Sequence, residues 1–177
     1  FQIELGTGRA RRYEVMGLRV NDHVLNAAGQ SVARSEYDPR SQVWSLHLRR
    51  GGGFREAWST TAPLDAPYLA GLGMSGDSVI VAADRPGMNR DPNEKLNYFD
   101  VNLETGEWRP VRFDFTPQGL IFHPVTRRLI GATRMGDEGR VYAFADPAGR
   151  ALGVRVQQAF AGRAPELMSW GDVFHQA

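Results

Sequence analysis

The chain has 177 residues, of which 42% are hydrophobic and 23% are charged, and this is enough material for one globular domain with its own core. Its 21 basic and 20 acidic residues leave a net charge of +1, which argues against the basic excess of a dedicated nucleic-acid surface. The absence of cysteine excludes disulfides, thiol nucleophiles and thiolate metal sites, and no apolar run approaches the roughly 18 residues of a membrane span.

The start of the chain carries no targeting signal that we can identify. It begins at Phe1, within a predicted strand and without a methionine, so we expect a fragment or a processed product. No signal peptide is visible. The lack of cysteine is compatible with the bacterial cytoplasm and with the periplasm, so the compartment stays open.

The first part of the chain predicts a hairpin followed by a set of four short strands. Glycine and proline divide this part into short runs. The side chains of Trp44, Leu46 and Leu48 alternate with polar ones, as in a strand that buries one face. We assign the hairpin to residues 1–13 and the four-stranded set to residues 18–59.

A second set of four strands is predicted over residues 68–113. Its second strand, residues 78–83, is apolar on both faces and should be central and buried. Its last strand contains Pro110, which cannot donate to a ladder, so this strand should lie at a sheet edge.

The final hairpin of the second set repeats the pattern with which the chain opens. In residues 96–113, period-two alternation leads into a Thr105-Gly106 turn, where glycine supplies the positive φ of a tight reversal. Residues 3–10 match residues 101–108 in their apolar positions and in the same Thr-Gly turn. The spacing of 98 residues corresponds to two repeats of about 49.

A third set, residues 118–161, predicts three strands and then a helix near 147–161 in place of a fourth strand. Asp146 and Pro147 form a good N-cap and first-turn pair. Gly149 and Gly153 weaken this helix. Apolar residues at helical spacing and a glycine at a C-cap position complete the pattern: Leu152, Val156, Ala159, Phe160 and Gly162. Residues 165–177 are predicted to begin a further set.

Together these patterns predict an all-β single domain over residues 1–177, a partial β-propeller of about three to four four-stranded antiparallel blades. Four short strands repeating every 40 to 50 residues are typical of propeller blades. A β-sandwich is the alternative, but it does not predict an apolar second strand and a proline-tolerant last strand in each set. A closed propeller needs at least about four blades, so further blades would come from a longer natural chain or from a second copy.

Two motifs that contain glycine and serine resemble a cofactor-binding signature and a catalytic signature, but the residues around them do not predict the structure that either signature needs. Residues 71–76 fit G-x-G-x-x-G, but a strand follows where a dinucleotide site needs a helix. Ser75 lacks the second glycine of a nucleophile elbow, because residue 77 is aspartate. We expect a strand-turn-strand hairpin with a turn serine here.

The histidines and the paired acids predict structural or solvated roles. No two histidines lie at metal-ligand spacing. Asp137 and Glu138 occupy a predicted hairpin turn. The four histidines are His23, His47, His123 and His175. We therefore expect no catalytic residue, no cofactor site and no metal site in this chain.

Three arginines form the one speculative substrate-binding set. Arg34, Arg85 and Arg134 each end or follow the second strand of a set, so in a propeller they would fall at comparable positions on one rim of the channel. Such a ring would attract a carboxylate or a peptide C-terminus. Ordinary surface arginines are the alternative.

Several stretches resemble the N-terminal propeller of bacterial prolyl oligopeptidase family serine peptidases. The resemblance covers nearly the whole chain, although blade motifs are degenerate. Family members share an order of hairpin, aspartate-proline, helix and apolar-serine-tryptophan strand. The matching stretches are residues 38–40, 44–55, 66–73, 100–106, 128–132, 142–147, 158–162 and 168–170.

The resemblance implies a propeller that caps an α/β-hydrolase domain and limits substrates to short peptides. This chain lacks the elbow motif and the hydrolase half, so no triad residue is carried over and the chain alone should not hydrolyse peptides. The implied partners are that catalytic domain and a peptide substrate, with a second copy as a further option and with no nucleic acid and no membrane. Two alternatives remain: a stand-alone binding or scaffold propeller closed by homodimerisation, and the cap of an esterase or acylaminoacyl hydrolase.

Overall fold

The fold is mostly β, with three larger antiparallel sheets, a separate two-stranded hairpin and one short helix among the described residues. The predicted fold class is confirmed at this level. The predicted glycine cap at Gly162 lies outside the described part of the chain, and the further set predicted over residues 165–177 lies outside it except for residue 165. The computed structural model describes residues 2–11, 19–85, 87, 97–137, 139–161, 163 and 165.

The chain opens with a short antiparallel hairpin, as predicted for residues 1–13. Strand β1 (Gln2–Ile3) pairs with β2 (Ala10–Arg11). The turn between them is closed by the amide of Gly8, which donates to the carbonyl of Glu4 over 2.8 Å. Gly8 has a φ of 67°, the left-handed region in which glycine is favoured.

The first sheet is a four-stranded antiparallel meander in which spatial order follows chain order. It comprises β3 (Val20–Leu25), β4 (Ser31–Asp38), β5 (Val43–Arg50) and β6 (Gly53–Thr61). This agrees with the four strands predicted over residues 18–59. One face of the sheet is apolar and the other is polar, because alternate side chains of a strand point to opposite faces.

The second sheet repeats this meander. It comprises β7 (Tyr68–Leu72), β8 (Ser78–Ala83), β9 (Asn97–Asn102) and β10 (Trp108–Pro110), again in chain order. All six residues of β8 are buried, and β10 is the edge strand, so both predictions for this sheet are confirmed. Strand β10 is shorter than expected, because its pairing with β9 ends at Pro110.

The first and second sheets pack together over one core. Strand β7 contacts β3 and β4, so the opening strands of the two sheets are neighbours. The aromatic rings of Trp44, Trp58 and Trp108 form a continuous chain of contacts across the junction. The buried residues of this core are Val24, Ala33, Trp44, Leu46, Leu48, Ala62, Leu72, Val79, Val81, Ala83, Phe99 and Val101.

The third sheet has three strands, and a helix follows where the other two sheets have a fourth strand. It comprises β11 (Gly119–Phe122), β12 (Leu129–Gly136) and β13 (Gly139–Phe144), followed by α1 (Pro147–Ala159). The predicted N-cap is confirmed, since the carboxylate of Asp146 accepts a hydrogen bond of 2.8 Å from the amide of Gly149.

Helix α1 packs on the third sheet through its glycines. A Cβ at Gly149 would lie 3.0 Å from the ring of Phe144, and one at Gly153 would lie 3.5 Å away. The helix predicted near 147–161 ends slightly earlier, at Ala159. Phe160 is the C-cap residue with φ of −120° and is 52% exposed, because the helical turn has ended there.

The second sheet is also approached from its other side. Gly71 of β7 lies against Phe122 of β11, and Gly76 lies against the side chain of Arg128. Ile80 and Ala82, on the face of β8 opposite to the core shared with the first sheet, are buried as well. No helix within the described residues is long and apolar enough to span a membrane.

Candidate functional site

The three arginines singled out from the sequence lie in or beside three different sheets, and each contacts at least one aromatic ring. Arg34 is the fourth residue of the eight-residue strand β4, Arg85 lies two residues after β8, and Arg134 is the sixth residue of the eight-residue strand β12. Their positions along the second strands are therefore not all comparable, since Arg34 lies mid-strand. Where each arginine lies along its strand depends on where that strand begins and ends in the folded sheet, and the spacing of residues in the sequence does not give this.

Arg34 lies on the polar face of the first sheet, beside Phe54. Its guanidinium carbon is 4.6 Å from the centre of the Phe54 ring, and that of Arg49 is 4.5 Å from the same centre. Arg34 also pairs with Glu36 over 2.6 Å. Its Nε is buried and has no hydrogen-bond partner among the described residues. This arginine is largely committed to contacts within its own sheet.

The same face holds a serine, a histidine and a glutamate in close succession. Ser45 Oγ lies 3.0 Å from Nε2 of His47, and Glu36 Oε1 lies 3.8 Å from that same nitrogen. A catalytic triad places the serine and the carboxylate on opposite nitrogens of the imidazole ring. Because both groups approach Nε2 here, the three side chains do not have the geometry of a catalytic triad.

Arg85 stacks on the tryptophans that join the first two sheets. Its guanidinium carbon lies 4.3 Å from the centre of the Trp108 ring and 5.5 Å from that of Trp58. Burial lowers the pKa of Arg85 from its ordinary value, because the charged form loses hydration. The Trp108 ring packs edge-to-face against two other rings: its centre lies 5.0 Å from the centre of the Trp58 ring and 5.6 Å from that of Phe99.

Arg134 is the most exposed of the three arginines. It lies 5.2 Å from the centre of the Phe115 ring, which belongs to the segment that connects the second and third sheets. In the ladder between β12 and β13, Gly131 pairs with Phe144 and Arg134 pairs with Val141. Arg134 is three residues after Gly131 along β12, so the two residues face opposite sides of the sheet. Since Phe144 contacts helix α1, Arg134 lies on the opposite face of the sheet from that helix.

The two motifs that resemble catalytic signatures form a hairpin turn, as predicted. Residues 71–76 cover the end of β7 and most of the turn that leads directly into β8, and no helix follows them. The hydroxyl of Ser75 donates to the carboxylate of Asp77 within this turn. A side chain at Gly73 would collide with the hydroxyl of Ser78, so the glycine is required for close packing of the turn itself.

The described histidines have structural partners. His23 Nδ1 and Ser31 Oγ are 2.8 Å apart. His123 is buried, and its Nδ1 accepts hydrogen bonds of 3.2 Å from the amides of Val125 and Thr126. His175 and Glu138 lie outside the described residues, and within the described ones no group of three or more acidic or histidine side chains could hold a metal ion.

One pair of polar side chains was missed from the sequence. The hydroxyls of Tyr68 and Tyr98 are 3.1 Å apart, although the two residues belong to different strands. Both pair with Ala82 of the strand between them, whose small side chain lets the two rings meet. Burial, and then the hydrogen bond with Tyr68, raise the pKa of the Tyr98 phenol above its ordinary value. Only the strand register could have revealed this pair.

Comparisons of the chain with protein-family models, with curated proteins and with solved structures found no match.

Proposed function

We propose that this chain is a partial β-propeller from the non-catalytic domain of a prolyl oligopeptidase family serine peptidase. In this role it would cover an α/β-hydrolase domain, restrict entry to short peptides and help to hold the ends of those peptides. The observation that carries the proposal is the order of the sheets. Each antiparallel meander is completed before the next begins, and the opening strands β3 and β7 of successive sheets are neighbours.

The surroundings of the second sheet support the same arrangement. A two-layer sandwich covers one face of each sheet and leaves the other to solvent. Strand β8 is buried on both faces, with the first sheet on one side and the contact between Gly71 and Phe122 on the other. Neighbours on both faces are what a blade within a propeller has.

A binding role is favoured over catalysis by the side chains themselves. Ser45 Oγ lies within hydrogen-bond distance of His47 Nε2, but Glu36 approaches the same nitrogen and so does not orient the ring as the carboxylate of a triad does. Of the three arginines, Arg134 is exposed, whereas Arg34 is paired with Glu36 and Arg85 is stacked on Trp108. We therefore assign the capture of a peptide carboxylate to Arg134, with Phe115 packed beneath its guanidinium.

The test compares this chain with the natural reading frame that contains it. Residues 1–177 alone should give no hydrolysis above blank on a short peptidyl p-nitroanilide. The product of the full reading frame should cleave short peptides with a free C-terminus but not a long unfolded protein. In that product, Arg134→Ala should raise KM several-fold with kcat little changed, while Arg155→Ala on the exposed side of α1 should change neither.

Other results would overturn the proposal. Turnover by residues 1–177 alone would contradict a non-catalytic role. A full-length product that hydrolyses p-nitrophenyl esters but no peptide would favour the esterase alternative. A reading frame without a hydrolase segment, together with a stable dimer in sedimentation, would favour the stand-alone scaffold closed by homodimerisation.

A further inference from the structure

Two tyrosine side chains meet on the face of the second sheet that lies away from the core shared with the first sheet. Tyr68 belongs to β7 and Tyr98 to β9, and both pair with Ala82 of the strand between them. Phe99, the next residue along β9, belongs to that core, so the side chain of Tyr98 points the other way. The two phenol hydroxyls are 3.1 Å apart, although 30 residues separate them along the chain.

One phenol of the pair is open to solvent and the other is partly covered. Tyr68 is 39% exposed, so a reagent in solution reaches its ring directly. Tyr98 is half-buried, and its pKa is raised by burial and then by the hydrogen bond with Tyr68. A hydrogen bond raises the pKa of a phenol when it favours the neutral form, as it does when that phenol is the donor. Tyr98 therefore donates to the oxygen of Tyr68, and the hydroxyl hydrogen of Tyr68 is not used in this bond.

Two phenols held this close are placed for a reaction that one tyrosine alone cannot undergo. A one-electron oxidant removes one electron from each phenol, and each phenol releases its hydroxyl proton to water. The unpaired electron of each radical is shared with the ring carbon beside the one that carries the oxygen. One such carbon of each ring joins the other in a new carbon–carbon bond, and the hydrogen on each of these carbons then moves to the oxygen of its own ring. The pair loses two electrons and two protons in total, and one molecule of hydrogen peroxide takes them up to form two molecules of water.

The folded sheet supplies the proximity that this coupling needs. Aromatic rings have broad preferences for rotation about the Cβ–Cγ bond, so the ring edges beside the two hydroxyls can turn toward each other. Because both rings belong to one folded molecule, coupling within the chain has a far higher effective concentration than coupling between chains in dilute solution. Tyr37 differs in this respect, since its hydroxyl donates to the backbone carbonyl of Ala62 over 3.2 Å.

We propose that Tyr68 and Tyr98 form a site of oxidative cross-linking, at which a peroxide-driven one-electron oxidant joins the two rings as dityrosine. The bond ties β7 to β9 across the buried strand β8. Strand β7 also contacts β3 and β4, so the tied strand is the one that lies against the first sheet. A covalent link between residues distant in sequence restricts the unfolded chain and so stabilises the folded one. This inference goes beyond the peptidase proposal and does not depend on it.

The test treats the 177-residue protein with a haem peroxidase and one equivalent of hydrogen peroxide. We expect a monomer that is lighter by two hydrogen atoms, shows dityrosine fluorescence and, after protease digestion, gives one linked pair of peptides that contains residues 68 and 98. The yield should be the same over a tenfold range of protein concentration, because the coupling occurs within one chain. The cross-linked monomer should unfold at a higher urea concentration than the untreated protein.

Three variants and an unfolded sample provide the controls. Tyr68→Phe and Tyr98→Phe should each lower the yield of linked monomer at least tenfold, whereas Tyr37→Phe should leave it unchanged. Treatment in urea that unfolds the protein should lower the yield of the link between residues 68 and 98 at least fivefold, because the pairing across β8 is then lost. Products that are only dimers between chains, or links that join other tyrosines instead, would overturn the proposal. Equal yields from the folded and the unfolded chain would overturn it as well.

Discussion

The two halves of the molecule bury their interiors by opposite means. The junction of the first and second sheets is filled by large side chains, among them the fully buried Trp44 and Phe99. The third sheet and α1 share a much smaller cluster, in which Phe144 is received by helix positions that have no side chain, Gly149 and Gly153. Large side chains fill the interface between the first and second sheets, whereas the interface between the third sheet and α1 depends on the absence of side chains at two glycines.

This difference predicts opposite sensitivities. A core of interlocked large residues loses stability when atoms are removed, because the remaining atoms relax only partly into the cavity. An interface made by glycine instead loses stability when atoms are added, because the neighbouring ring has nowhere to move. The two halves can therefore be told apart by the sign of the response to a change in side-chain volume.

Removing Trp44 should have the largest effect. Trp44 is fully buried and contacts Trp58 at a ring separation of 5.8 Å. Trp44→Ala should lower the free energy of unfolding by about 3–5 kcal/mol, from lost burial plus the cavity left behind. Urea denaturation followed by far-UV circular dichroism measures this loss. Leu64→Ala, at an exposed leucine, should change it by less than about 0.5 kcal/mol.

A conservative change at the same position separates volume from polarity. The indole Nε1 of Trp44 is buried without a hydrogen-bond partner among the described residues. Trp44→Phe removes this donor, whose burial is costly, together with part of the ring. We expect a loss of about 1 kcal/mol, far below that of Trp44→Ala. Equal losses for the two variants would contradict a core held by side-chain volume.

The junction between the two halves is tested at Gly71. A Cβ there would lie 2.5 Å from the Phe122 ring, and the φ of 156° already disfavours other residues. Gly71→Ala should cost about 2–3 kcal/mol in urea denaturation. Gly29→Ala, which has positive φ but open space, should cost only about 1 kcal/mol. If Phe122→Leu failed to relieve the Gly71→Ala loss, a steric origin would be wrong.

The turn between β11 and β12 depends on a histidine rather than on a glycine. His123→Ala should lower the free energy of unfolding by about 1–2 kcal/mol, because the amides of Val125 and Thr126 lose the acceptor Nδ1. His123→Asn offers an oxygen at a similar place and should recover at least half of the loss. Chemical denaturation of the three proteins checks this, and an asparagine variant no better than alanine would refute the acceptor role.

The elements that follow local rules were predictable from the sequence. Three of these features depend only on residues a few positions away in the sequence. They are the continuous apolar run of β8, the proline that confines β10 to a sheet edge and the N-cap at Asp146. Features that depend on register were not predictable. The meeting of Tyr68 with Tyr98 requires Ala82 to lie between them in the ladder, which no local pattern specifies.

The candidate site follows the same division. The sequence identified Arg34, Arg85 and Arg134, but it did not identify the ring that each one contacts. These rings belong to Phe54, Trp108 and Phe115, each about 20 residues away from its arginine along the chain. Their placement on one channel rim stays a prediction. Gly149 and Gly153 show the limit most clearly. Helix propensity marks both as weak points, whereas the packing of Phe144 gives them different roles that only the folded structure distinguishes.

Those two glycines give the smallest and sharpest test of the contrast between the halves. Glycine within a helix costs about 1 kcal/mol relative to alanine. At Gly153 a Cβ would make an ordinary contact of 3.5 Å with Phe144, so Gly153→Ala should raise the free energy of unfolding by about 0.5–1 kcal/mol. At Gly149 the contact would be 3.0 Å, which is closer than ring and methyl carbons normally approach.

Gly149→Ala should therefore be neutral or destabilising by up to about 1 kcal/mol, because the strain against Phe144 cancels the gain in helix propensity. Urea denaturation of the two variants side by side measures the difference, and a Phe144→Leu background should restore the gain at Gly149. If both substitutions stabilised the protein equally with Phe144 in place, the only effect of the two glycines would be their low helix propensity, and neither would be needed to make room for the Phe144 ring.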